Sequence, residues 1–89
     1  MICVSIARTR HKMVMAEHQA LASRGAKFVE LRVDWLSKAP DVPRLLKDRP
    51  TPVIVTCRRR DDGGPWPGTE DQRLTVLRTA ILSGADYVD

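Results

Sequence analysis

The chain has 89 residues, 43% hydrophobic and 29% charged, with a formal charge of +4. Such a composition describes one small globular domain, too aliphatic and too weakly charged to be disordered. No apolar run approaches the roughly 20 residues of a membrane helix, and Met1 to Ala7 is too short for a signal peptide. No membrane partner is therefore expected, and the cytoplasm is the expected compartment.

A pI near 9.6 raises the question of nucleic acid. Apart from Arg58-Arg59-Arg60, however, the basic residues are scattered, and one Tyr and one Phe provide no stacking platform. Small anionic ligands suit that pattern better, so no nucleic-acid partner is expected. Cys3 and Cys57 lie in apolar runs with no His or Cys at metal spacing. They read as two small buried hydrophobes rather than as a disulfide or a metal site.

Taken in chain order, residues 2–7 form a short apolar strand closed by Arg8-Thr9-Arg10. Residues 11–24 are rich in helix formers, with Met13, Ala16 and Ala20 on one stripe and Gly25 as a left-handed cap. Residues 27–34 alternate as a second strand. Asp41 caps a short helix that tolerates Pro43 in its first turn, turns Leu45 and Leu46 inward and stops at Pro50 and Pro52. Residues 53–58 are a third strand, started by the β-branched run from Val53. A loop from Arg59 to Gly68 holds three glycines and two prolines, with Trp66 either a lid contact or an exposed anchor. Thr69 and Gln72 spell a capping box for a helix over 70–83, with Leu74, Leu77 and Ile81 on one face and Gly84 as its cap. Residues 86–89 begin a fourth strand.

The order β-α-β-α-β-α-β argues for a parallel sheet with right-handed crossovers. The strand faces separate an open doubly wound sheet from a barrel. Ile2, Val4, Ile6, Val29, Leu31, Val33, Val53, Val55 and Cys57 give one aliphatic face. The other face is small or polar: Cys3, Ser5, Ala7, Glu30, Arg32, Asp34, Ile54, Thr56 and Arg58. A doubly wound sheet is covered on both faces and apolar on both, whereas a barrel has one helix-covered face and one interior. The pattern fits the first half of a (β/α)8 barrel, a single partial domain over residues 1–89.

Glu30, Arg32 and Asp34 at spacing two share a strand face. They are either a self-neutralising charge row on an exposed edge or a polar interior that orients a hydroxylated, anionic ligand. The aliphatic residues between them must pack on helices, which favours the interior. Arg58 ends the third strand on the same face as Thr56, where a guanidinium can fork onto a carboxylate or a hydroxyl pair. Asp61-Asp62-Gly63-Gly64 reads first as a tight turn. The only histidines, His11 and His18, read as solvated surface. None of the four lysines, Lys12, Lys27, Lys38 and Lys47, falls at the C-terminal end of a strand on the polar face, so no Schiff-base lysine is in place.

The segments MICVSIA, FVELRVDWL, TPVIVTCRR followed by DDGG, and GADYVD resemble, in order and spacing, the opening of type I 3-dehydroquinate dehydratase. The E-x-R-x-D strand followed by the T-x-R strand is the specific part. The resemblance implies a barrel of the shikimate pathway. That family dehydrates 3-dehydroquinate to 3-dehydroshikimate through a lysine imine, with a histidine as general acid/base and neither metal nor cofactor. By position it implies substrate contacts at Ser5, Glu30, Arg32 and Arg58, and a carboxylate supporting the histidine at Asp62, where Glu is the residue expected. Asp89 falls at a polar position on the fourth strand. Such a barrel takes about 250 residues, and the family's histidine and lysine fall beyond residue 89, so this chain is expected to be inactive alone. The competing reading is a non-catalytic half barrel that binds anions or assembles with a partner. Two open sheet edges predict a homodimer.

Overall fold

The computed structural model describes residues 3–89. Strands β1 (Cys3–Ile6), β2 (Phe28–Arg32), β3 (Val53–Thr56) and β4 (Tyr87–Val88) alternate with helices α1 (His11–Ser23), α2 (Val42–Leu46) and α3 (Glu70–Leu82). The strands pair in sequence order, β1-β2-β3-β4, and every pair is parallel. A doubly wound sheet reverses its strand order at a switch point; here it never reverses. The arrangement is that of half a (β/α)8 barrel, not closed, with β1 and β4 as edges. Ile2, expected on the aliphatic face, lies outside the described residues.

Side-chain alternation along the strands builds the core. Val29, Leu31, Val53 and Val55 are fully buried with Ile6 against Val14 of α1, Val42, Leu45 and Leu46 of α2, and Ala80 of α3. Each fully buried aliphatic of this size contributes roughly 1.5–3 kcal/mol. The helix ends follow local chemistry. Asp41 accepts from the Arg44 N–H, and Thr69 and Gln72 close the capping box reciprocally. Gly25 (φ +96°) and Gly84 (φ +90°) end α1 and α3 in the left-handed region. Beyond them Ala26 N–H donates to Leu21 O and Ala85 N–H to Ala80 O, which completes a Schellman motif at each helix.

Several expectations are corrected. Met13, Ala16 and Ala20 are exposed, and α1 buries Val14 and His18 instead. In α3, Leu74 and Ile81 are exposed, while Ala80 is buried and Val76 and Leu77 pack on the core. Cys57 is buried as expected, but Cys3 is exposed. Trp66 is neither lid nor exposed anchor. It is 7% exposed, belongs to the core and donates its Nε1–H to Thr69 O.

His18 is the largest departure, because it is 2% exposed rather than solvated. Its Nε2 shares a hydrogen bond of 2.7 Å with Thr51 Oγ1, which also lies 3.0 Å from Pro52 O. His11 is half-buried and its Nε2 accepts from the Asp41 N–H at 2.8 Å, tying α1 to the cap of α2. Burial first, then the charge of Arg49, holds His18 below the ordinary histidine value, and burial with Arg44 and Lys38 does the same for His11 despite Asp41. Both rings are therefore favoured neutral in the fold. Their contribution is complete above pH 6.5 and is lost as pH falls below it, where the unfolded chain binds the proton first. Urea unfolding at pH 7.5 and 5.5 is expected to show lower stability at 5.5, each histidine adding at most about 1.4 kcal/mol per pH unit. His18→Gln, which keeps an N–H donor but does not titrate, is expected to flatten that dependence; an unchanged slope contradicts the assignment.

Candidate functional site

The sheet face turned away from the helices carries the polar residues. Parallel register sets Ser5 of β1 beside Glu30 of β2, and Arg32 beside Thr56 of β3. The Glu30 carboxylate fills the space between its neighbours. Oε1 accepts the Ser5 hydroxyl at 2.6 Å and Oε2 accepts the Thr56 hydroxyl at 2.8 Å. Burial alone pushes this carboxyl up. The two hydroxyl donors, with the charges of Arg32 and Arg58, outweigh it and hold Glu30 below the ordinary glutamate value. It is an anion in a fixed orientation.

Arg32 is fixed from its other side. β2 ends at Arg32, and Val33–Trp35 form a 3-10 turn. Asp34 therefore leaves the strand face on which the alternation placed it. It is buried behind Arg32, accepting Nε at 3.2 Å and Nη2 at 2.8 Å. The hydrogen bond to Asp34 raises the Arg32 value further above its already high norm. The guanidinium is a permanent cation held in a two-point clamp.

Arg58 lies just past β3, which ends at Thr56 rather than at 58. Its Nη2 donates to Asp89 Oδ2 at 3.1 Å. The backbone of Asp89 continues the pairing of β4, accepting from Cys57 N–H and donating to Val55 O. Gly64 packs directly on the Arg58 backbone, where a Cβ would stand 2.5 Å from Arg58 O. Only glycine lets the loop pass there. Arg73 staples the same corner, donating Nη1 to Cys57 O at 2.9 Å while gripping Glu70 with its other nitrogens.

Ser5, Glu30, Arg32 and Arg58 are thus brought to one face, and Asp89 joins them through Arg58. Asp62 stands apart in the 3-10 turn Arg60–Asp62, exposed and paired with Arg59 Nε at 2.9 Å, which lowers its carboxyl value. Thr56 and Asp34, as the partners that orient Glu30 and Arg32, and Arg73 were not singled out by sequence. The T-x-R spacing carried the signal for Thr56, and the i, i+3 pairing with Glu70 carried it for Arg73.

The arrangement sets a fixed acceptor, Glu30, beside a fixed donor, Arg32, on one polar strip. It holds no activated nucleophile. The buried Cys57 thiol is pushed up to about 12, chiefly by burial. Lys12, Lys27, Lys38 and Lys47 are all exposed and lie off this face. Among the described residues, no three His, Cys, Asp or Glu groups converge as metal ligands, and no helix is long and apolar enough to cross a membrane.

A family model for type I 3-dehydroquinase matches residues 2–89. The chain is 34% identical to a bifunctional 3-dehydroquinate dehydratase/shikimate dehydrogenase of Arabidopsis thaliana, over 100% of this chain and 15% of that protein. It is 34% identical to a 3-dehydroquinate dehydratase of Desulfotalea psychrophila and 32% identical to one of Coxiella burnetii, over 99% of this chain and 38% of each of those proteins. The chain thus spans well under half the length of these curated relatives. The family match runs across the strands that carry Ser5, Glu30, Arg32 and Arg58, and with it the chain belongs to the type I 3-dehydroquinase family.

Proposed function

We propose that this chain is the substrate-holding half of a 3-dehydroquinate dehydratase, a lyase of the shikimate pathway that converts 3-dehydroquinate to 3-dehydroshikimate. The observation that carries the reading is Glu30, fixed between the Ser5 and Thr56 hydroxyls with the clamped Arg32 beside it. In this role the Glu30 carboxylate accepts from ring hydroxyls and Arg32 donates to them. Arg58 exchanges Asp89 for the substrate and adds positive charge. The reaction proceeds through an imine between a lysine and the substrate ketone, with a histidine moving the protons and neither metal nor cofactor. The lysine and histidine come from outside these 89 residues, and Asp62 leaves Arg59 to support the histidine. The protein works in the cytoplasm on a small molecule, without nucleic acid or membrane.

The alone-inactive reading follows from the four exposed lysines. The purified chain is expected to show no dehydratase turnover, and borohydride with 3-dehydroquinate is expected to leave no adduct on Lys12, Lys27, Lys38 or Lys47. A stable adduct on any of them overturns it.

Binding is tested separately. Arg32→Ala is expected to weaken 3-dehydroquinate binding about tenfold or more, since a charge-assisted hydrogen bond contributes roughly 1.5–3 kcal/mol. That change also strands the buried Asp34, so Arg58→Ala, whose side chain is 51% exposed, is the companion variant. Calorimetry that finds both variants binding like the parent removes these residues from the site.

A second reading, a half barrel that assembles with its own kind, is favoured by the open edges on β1 and β4 and by exposed Leu74, Ile81, Leu82 and Tyr87 on the α3–β4 side. Pairing that side with the β1–α1 side of a second copy covers both, as a two-fold dimer. Sedimentation at tens of micromolar is expected to return a dimer; a cooperatively melting 10.0 kDa monomer excludes it.

A further inference from the structure

The arginines of the polar face all have carboxylate partners, and so do Arg8, Arg49, Arg59 and Arg73. A second group of cations does not. Arg10 and Lys12 at the start of α1, Lys38 in the connection from β2 to α2, and Arg44 in α2 line a cleft of about 490 Å³, together with His11. None of the four cations has a carboxylate within salt-bridge distance among the described residues, and no acidic side chain lines the cleft.

The walls of this cleft are tied together. Ser37 donates both its N–H and its hydroxyl to Thr9 O at 2.9 Å, joining the β1–α1 connection to the β2–α2 connection. The Asp41 N–H donates to His11 Nε2, and the Asp41 carboxylate is occupied by the Arg44 N–H. The framework thus satisfies its own hydrogen bonds and leaves the cationic heads unmatched. Their field is felt locally: burial, then Arg44 and Lys38, lowers the His11 value against the opposing pull of Asp41. Four cations line one cleft against the single nearby negative charge felt at His11, that of Asp41, an excess of positive charge that favours an anion. Guanidinium forks with ammonium groups match the several oxygens of a phosphate monoester better than a single carboxylate. No Phe, Tyr or Trp lines the cleft to stack a nucleobase.

We propose that this cleft binds the phosphate group of a small phosphorylated metabolite, at a place separate from the strip formed by Ser5, Glu30, Arg32 and Arg58, with which it shares no residue. The site does not depend on the dehydratase reading. Its position between two βα connections puts it on the same end of the half barrel as the 3-10 turns that follow β2 and β3.

The full chain, labelled with nitrogen-15, is titrated with glucose 6-phosphate, with glucose and inorganic phosphate as controls. Saturable amide shifts are expected over 9–12 and 37–44, none with glucose, and weaker shifts at the same amides with inorganic phosphate. The pair Lys12→Ala with Arg44→Ala is expected to weaken binding about tenfold or more, the loss of at least one charge-assisted contact. Arg10→Gln with Lys38→Gln gives a second, independent pair; all four side chains are exposed, so the fold is retained. Inorganic phosphate binding as tightly as the sugar phosphate moves the assignment to free phosphate and refutes the metabolite. The site itself is overturned by shifts that never saturate, by both variant pairs binding like the parent, or by shifts centred on Arg32 and Arg58. Tighter binding of a single-stranded oligonucleotide, spread over the basic surface, likewise replaces it.

Discussion

A carboxylate in the middle of a parallel sheet must be solvated, paired or protonated, and the open face of this half barrel is organised by how Glu30 meets that demand. β2 has a neighbour on each side. Ser5 stands beside Glu30 in register on β1, and Thr56 reaches it from two residues further along β3, so a hydroxyl donates to each carboxylate oxygen. Glu30 can therefore stay ionised and still present its remaining lone pairs outward. Arg32, two residues on, would collapse onto Glu30 if nothing held it. The turn at Val33–Trp35 places Asp34 behind it instead, and the two-point pair keeps donor and acceptor side by side. Removing Arg32 would leave the buried Asp34 carboxylate without its partner, which is costly. The clamp is thus part of the fold as much as of the site.

The parallel half barrel was legible because strand faces repeat every two residues and one face of each of the first three strands is aliphatic throughout. The helices were harder to read. A helix at the end of a barrel layer has two apolar directions, one toward the sheet and one toward the next helix around the ring. In α3, Leu74 and Ile81 are exposed, while Ala80 is buried and Val76 packs on the core. Periodicity finds both stripes and cannot rank them. His18 escaped for a related reason. Its position four residues after Val14 marks the buried stripe of α1, but only Thr51, across the core from α2 to β3, makes burial of an imidazole tolerable.

The candidate residues on strands were legible for the same reason as the strands, and those near strand ends were not. Asp34 was read as a third member of the β2 row. One turn of 3-10 helix was enough to move it from the open face to a buried position behind its neighbour. The loop from Arg59 to Gly68 was recognisable from glycine and proline, yet its shape depends on contacts no spacing encodes. Trp66 folds into the core, Gly64 lies against Arg58, and Arg73 of α3 ties off the β3 end. Together these pin the backbone from which Arg58 projects, so this exposed member of the strip stands on a fixed base.

The polar strip and the lysines of this chain occupy different environments. Imine chemistry needs an amine whose proton has been made easy to lose, and burial or a neighbouring cation is what accomplishes that. All four lysines are exposed, so none is buried beside the polar strip. Cys57 is the reverse case, buried so deeply that its thiol is kept protonated. What the fold does supply is orientation. An anion and a permanent cation stand on adjacent positions of one strand, each locked by partners from a different element, and such preorganised groups cost a ligand little to meet. A reactive amine added to such a strip would find its substrate already placed, so the constraint that shapes β2 is the same one that determines what the face can recognise.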